Sequence, residues 1–268
     1  MLYIVCALHC EAKPLIDFYK LSADTDSTFT IFSSQDVKLI IAGIGKVSTA
    51  AAMAYLYAKD GEKKNVGWLN VGIAGHKKFS IGSLHNINKV TDAVSLINWY
   101  PARLPNIDCE TSPCITVDTP VDVYKSQSVY DMEASAFMAT ALRFSSNELI
   151  QVLKIISDNE DNHVENINKS MVKALVAKNI EDINAVVFAL QQQIHEFSVI
   201  YGDNELYLEC LEKWHFSQYQ KNALQRLLQR WRVLTNDMRL EMLEQCKDSK
   251  AVIAFLEDEL EQCIVEFS

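Results

Sequence analysis

The chain is poor in the residues that break regular structure, with 8 glycines and 5 prolines in 268 residues. Its last proline is Pro120, and beyond Gly82 its only glycine is Gly202. The C-terminal half should therefore be helical, apart from an apolar strand beginning near Leu149. No apolar run approaches bilayer-spanning length, and Leu2 to Leu8 is too short, and too poor in flanking basic residues, for a secretory signal. A cytoplasmic protein is expected. Positive charge is also scarce: 25 Lys and Arg face 35 Asp and Glu, giving a net charge of -10, and no arginine precedes Arg103. That balance argues against a broad nucleic-acid surface, which needs clustered cations to neutralise phosphates. Seven cysteines is an odd number, and none sits in a Cys-x-x-Cys pair or at zinc-type spacing from histidine, so reduced thiols are expected. Fixed-period repeats and low-complexity tracts are missing too.

What is present is a large hydrophobic fraction, 49% of the residues, enough for a sizeable core. Leu2 to Ala7 is a strand-length apolar run, and Pro14 fits the first turn of a helix starting near Glu11. Thr28 to Phe32 and Val37 to Ala42, separated by a polar turn, read as a hairpin. The second strand runs into Gly43-Ile44-Gly45-Lys46 and an alanine-rich helix from Val47 to Lys59. That turn serves tight packing or cradles an anion on its amides; it lacks the full spacing of a phosphate loop. Val66 to Val71 and Ser83 to Val90 are further strands. Thr91 to Pro120 reads as irregular, with a short strand at Cys114 to Asp118. His76 and His85 have no evident partner and read as surface or structural histidines.

Acidic residues recur where strands give way to helices or loops. Glu11 follows the first strand, Asp131 and Glu133 precede the helix-forming run from Ala134, and Asp158 ends the apolar run from Leu149. Such residues cap helices and offset their dipoles, or they face a ligand at the carboxyl ends of the strands. Cys10, between His9 and Glu11, can be posed as a nucleophile but lacks an orienting partner. Beyond a boundary at Ser198 to Asn204, leucines and tryptophans at helical spacing give three or four amphipathic helices. Lys221, Arg226, Arg230, Arg232 and Arg239 form a basic interval there, read as solvated helix faces or a partner site.

Taken together, Ala7-Leu8-His9-Cys10-Glu11-Ala12, Gly43-Ile44-Gly45-Lys46-Val47, Asn70-Val71-Gly72-Ile73-Ala74-Gly75, Asp131-Met132-Glu133-Ala134 and Ile156-Ser157-Asp158 resemble the nucleoside phosphorylase and nucleosidase superfamily. The resemblance is greatest to the methylthioadenosine/S-adenosylhomocysteine nucleosidase branch. It implies an α/β fold, a three-layer mixed sheet, partly barrel-like and flanked by helices, over residues 1–198; the all-helical module of unknown role at 203–268 lies outside the resemblance. It implies that Glu11 deprotonates an attacking water, that Glu133 holds the ribose hydroxyls and that Asp158 delivers a proton to the base. Met132 would pack under the sugar, Leu8 and Ile44 would line the pocket of the 5′ substituent, and Val121 would border the base. No metal or organic cofactor is implied. The expected partners are a small-molecule nucleoside and a second copy of the chain, with the helical tail a candidate surface for a protein partner.

The departures from the family pattern carry their own expectations. Phosphorylase members hold phosphate with cationic residues, whereas the matching N-terminal segments here offer only Lys13 and Lys46, which favours hydrolysis of an adenosine-type nucleoside over phosphorolysis. Ile73 stands in the substrate-binding set where family members carry a small hydroxyl or thiol residue. The segment from Lys89 to Asp131 is shorter than usual. A phosphate-dependent phosphorylase and a catalytically weak nucleoside-binding or scaffold protein are the alternatives.

Overall fold

The structure is a computed structural model that describes the chain except Lys64, Asn106, Asp122 and residues 202–204, 235–239 and 263–268. Gly202 and Asn204 of the expected boundary, Arg239 of the basic interval, and Cys263 lie outside the described residues. The chain divides into two compact units, Met1–Ile194 and His195–Ser268. Among the described residues no helix is long and apolar enough to cross a membrane.

In the first unit the elements run β1 (Leu2–Cys6), α1 (His9–Phe18), β2 (Ser22–Ala23), β3 (Thr30–Ser33), β4 (Val37–Ile41), α2 (Lys46–Lys59), β5 (Gly67–Gly75) and β6 (Leu84–Asp92). They continue with β7 (Asn98–Trp99), β8 (Thr111–Thr116), β9 (Val129–Asp131), α3 (Ala134–Phe144), β10 (Ile150–Asp158), α4 (Lys169–Lys178) and, as far as Ile194, α5 (Ile180–Tyr201). The strands form one mixed sheet. β5, β10, β6, β8 and β9 pair in that order, and β9 returns to β5 through Tyr130 opposite Gly75, closing a small barrel. From β5 the sheet continues outward through β1, β4, β3 and β2. The mixed α/β architecture expected from the sequence is therefore the one found.

β1, β4, β5 and β10 run parallel, so their carboxyl ends share one edge. β1 and β10 are buried along their whole length, as parallel strands covered on both faces require. The core between sheet and helices includes Tyr3, Met53, Trp68 and Phe137, with the Tyr3 and Trp68 rings edge to face at 4.8 Å. The expected hairpin is β3 with β4, antiparallel from Thr30 opposite Ile41 to Ser33 opposite Lys38.

Two local expectations need correction, and one open reading narrows. The stretch from Thr91 holds more structure than its prolines suggested, because β7 pairs with β6 and β8 starts at Thr111, with Pro113 paired to Lys89 across a bulge. Of the two readings for His76 and His85, surface or structural, the second holds: both are buried and stack on Phe79, at centroid separations of 3.5 and 4.3 Å. The His76 Nδ1 accepts from the Lys78 and Phe79 amides, which is the partner a bare sequence could not show. Finally, α5 continues through Ser198 to Tyr201, since nothing in that stretch disfavours a helix.

The second unit contains α6 (Glu205–Lys213), α7 (Gln218–Leu234), a 3-10 turn at Leu240–Leu243 and α8 (Ser249–Gln262). Their apolar faces bury Cys210, Trp214, Leu224, Leu228, Trp231, Val252 and Leu256 in a core of their own, and the Trp214 indole donates to the Cys246 carbonyl at 3.2 Å.

Candidate active site

Because four parallel strands end at one edge, the segments that follow them converge there. The result is a pocket of about 250 Å³, and Leu8, Glu11, Ile44, Ile73, Val121, Met132, Glu133 and Asp158 all line it. All eight residues that the family resemblance assigns to the site thus reach one concavity, although they lie on six separate segments. This is the position at which open α/β sheets collect ligands.

Glu11 comes from the first turn of α1 and is buried. One carboxylate oxygen accepts from the Leu8 amide at 2.8 Å, as in half of a capping box, and the other from the Ile73 amide at 3.0 Å. Each oxygen keeps a lone pair. Burial pushes the Glu11 carboxyl above its ordinary value, opposed by the two amides and the Lys154 ammonium. The approach is close: a Cβ on Gly72 would lie 3.2 Å from the Glu11 carboxylate and 3.4 Å from the Lys154 ammonium. Glycine at this point leaves room for acid and cation on the same side of β5.

Glu133 precedes α3, but its side chain does not cap that helix. It accepts from the Gly45 amide at 2.8 Å. Gly45 has φ 93°, a conformation that favours glycine and that turns its amide toward the acid. The Gly-x-Gly-Lys turn does hold an anion on its backbone, and that anion is the protein's own carboxylate. Lys46 contributes nothing free to it, being paired with Asp92 at 2.9 Å and Asp118 at 2.6 Å. Burial, with Asp131 and Glu11 nearby, raises Glu133 to about 7, against the pull of Lys154 and the Gly45 amide.

Asp131 is the cap. Its carboxylate accepts from the Glu133 and Ala134 amides at 3.1 and 2.7 Å and from the Thr116 hydroxyl at 2.7 Å. It also meets the buried Lys154 ammonium at 2.7 Å. Burial opposes charge on both groups, yet each holds the other ionised: Lys154 keeps Asp131 below its usual range, and Asp131 with Glu133 keeps Lys154 above its own. In the sequence Lys154 is only an interruption in the apolar run from Leu149. The signal was there, because a lysine inside a strand buried on both faces must find a counter-ion.

Asp158 ends β10. The Ser157 hydroxyl donates to one of its oxygens at 2.6 Å, and the Tyr124 hydroxyl donates to the other. Tyr124 is buried on the irregular segment between β8 and β9 and was not anticipated; a tyrosine in a loop carries no local signal of what it reaches. A Cβ on Gly75 would stand 2.6 Å from the Asp158 carboxylate and would also strike the Tyr124 hydroxyl, so the pair requires glycine there. Cys10 does not behave as an activated nucleophile: burial, then Glu11, pushes its thiol upward.

The mixed, partly closed sheet with its flanking helices gives this chain the fold of solved nucleosidase structures, which it matches at low sequence identity. Among solved structures it is similar to Arabidopsis thaliana 5′-methylthioadenosine nucleosidase, at TM-score 0.59 and 15% identity over 70% of this chain and 95% of that one. It is likewise similar to the Campylobacter jejuni 5′-methylthioadenosine/S-adenosylhomocysteine nucleosidase, at TM-score 0.55 and 16% identity over 68% and 96% of the two chains. Helicobacter pylori futalosine hydrolase matches at TM-score 0.56 and 14% identity, over 72% and 97%. No protein-family model matches the sequence, and no curated protein does.

Proposed function

We propose that this chain hydrolyses the N-glycosidic bond of a purine nucleoside, with an adenosine-type base as the leading substrate class. The observation that carries the proposal is the convergence of Glu11, Glu133 and Asp158 on one pocket, each held by defined donors. Breaking this bond builds positive charge on the sugar and negative charge on the departing base. Asp158 supplies the proton to the base. Glu11, buried and raised above its ordinary value, takes a proton from the attacking water through its remaining lone pairs. Glu133 accepts from the ribose hydroxyls, Met132 packs under the sugar, Leu8, Ile44 and Ile73 surround its 5′ side, and Val121 borders the base.

Hydrolysis is preferred to phosphorolysis on the state of the cations near the acids. Lys46 is held by two aspartates, Lys13 by Asp17 and Lys154 by Asp131. The proposal includes a homodimer in the cytoplasm, with residues 1–198 handling the nucleoside and 203–268 forming an attached helical module that serves a protein partner. Incubation with methylthioadenosine, adenosine and inosine, with and without phosphate, tests the chemistry by release of free base. Base formed without phosphate is the expected result, base formed only with phosphate would make the chain a phosphorylase, and no base in any mixture would defeat both. A second reading, a nucleoside binder without turnover, is favoured by Ile73, whose side chain brings no hydroxyl to the pocket beside Glu11. It calls for a thermal shift with nucleoside that persists in Asp158→Asn while neither protein releases base.

A further inference from the structure

A second concavity begins where the acidic pocket ends. Leu8 lines both, and the outer one is also lined by Lys13, Lys169, Ser170 and Lys173. A chain of net charge -10 thus places three lysines around one groove that adjoins its three-acid pocket. Lys13 is engaged by Asp17 on its own helix. Lys169 and Lys173 are exposed and, among the described residues, have no ion-pair partner. Lys169 and Ser170 also lie in the first turn of α4, where backbone amides carry partial positive charge; the Asn168 side chain occupies the Met171 amide at 3.0 Å. The charge reaches inward, since Lys169 draws the Cys10 thiol downward against burial and Glu11.

A nucleoside with its base at Asp158 and its hydroxyls at Glu133 has one exocyclic carbon left, and the exit past Leu8 leads to these cations. We infer that the groove receives an anionic group carried on the 5′ carbon, so that the substrate class is a nucleoside with a negatively charged 5′ substituent, a phosphate or a carboxylate. The inference rests on the nucleosidase reading of the inner pocket. Like charge repels such a substrate from the inner acids, so two lysines at the far end supply attraction where the substituent is and nowhere else.

The test compares adenosine, methylthioadenosine, adenosine 5′-phosphate and adenosine 5′-carboxylate, by base release and by thermal shift, at low and high salt. The expected result is a preference for one or both anionic forms over the neutral ones, reduced by about tenfold in Lys169→Gln/Lys173→Gln and by added salt. The Lys169→Arg/Lys173→Arg protein should retain it. A larger response to phosphate than to carboxylate identifies the group. Cleavage or binding of the neutral nucleosides with no preference for the anions overturns this inference and leaves the nucleosidase reading standing. Preferential binding of the anions without base release, lost in the double glutamine protein, upholds the groove and removes the enzyme. No response to any of the four compounds removes both.

Discussion

The Lys154 ammonium lies 2.7 Å from the Asp131 carboxylate, and both groups are buried beneath the candidate site. Asp131 fixes the start of α3 through two amides, while Lys154 also faces the space beside Glu11 and Glu133. The pair therefore ties the geometry of two candidate acids to the end of a central strand. Removing one partner leaves a bare charge in the interior. Lys154→Met should destabilise the first unit by about 3–5 kcal/mol, and adding Asp131→Leu should recover much of that loss. Urea denaturation of the two single variants and the double variant measures it; additive losses would mean that the pair does not act as a unit.

Glu133 gives the clearest dependence on pH. Its carboxyl is raised to about 7 by burial and by its acidic neighbours, so the folded chain keeps a proton that the unfolded chain has released. The contribution to stability is fully present below the ordinary glutamate range and is lost as pH rises through about 7. Ribose hydroxyls need the ionised form as acceptor, so nucleoside affinity should rise over the same interval in which stability falls. Thermal melts and ligand shifts at pH 5 to 8.5 report both, with Glu133→Gln as control. Parallel trends, or no change on substitution, would assign the titration to another group.

Tyr124 offers a more local test. Phenylalanine in its place keeps the ring against Tyr130, at a centroid separation of 5.4 Å, and deletes only the hydroxyl that donates to Asp158. Leaving that buried acceptor with one donor fewer should cost about 1–3 kcal/mol. Base release should fall as well, because the hydroxyl orients the carboxyl that faces the base. Gly75→Ala should be more damaging, since its methyl would enter the space between the Asp158 carboxylate and the tyrosine. Unchanged base release in Tyr124→Phe would show that the hydroxyl does no more than pack.

How much of this could be read from the chain follows from which interactions are local. Strand-to-helix junctions leave local marks, such as an aspartate three residues before a helix, and these pointed to Glu11, Asp131 and Glu133; the start of α1 was misplaced, since the helix begins at His9 and Pro14, expected in its first turn, lies inside it. The closure of the barrel through a single pairing of Gly75 with Tyr130 left none. Partners distant in sequence were equally silent: Glu133 meets the Gly45 amide 88 residues away, and Asp158 meets Tyr124 across 34. Lys154 was visible and underread, because a charge in an apolar strand looks like noise until the strand is known to be covered on both faces. The two histidines stayed open between surface and structural roles, because their partners are backbone amides for His76, the Ser83 hydroxyl for His85 and a phenylalanine ring for both, which any sequence supplies.

The division of labour between Glu11 and Asp158 can be separated by leaving group. A purine departs poorly unless protonated, so Asp158→Asn should lower base release from adenosine by roughly 100- to 10,000-fold. A 4-nitrophenyl riboside departs as a stable phenolate and needs no proton, so the same variant should cleave it almost as well as the parent protein does. Glu11→Gln acts on the water instead and should lose a comparable factor with both substrates. Rates for the two substrates in the parent and the two variants, set out as ratios, make the test internal and independent of enzyme concentration. If Asp158→Asn loses as much on the nitrophenyl riboside as on adenosine, the aspartate serves the shape of the pocket and the proton comes from elsewhere.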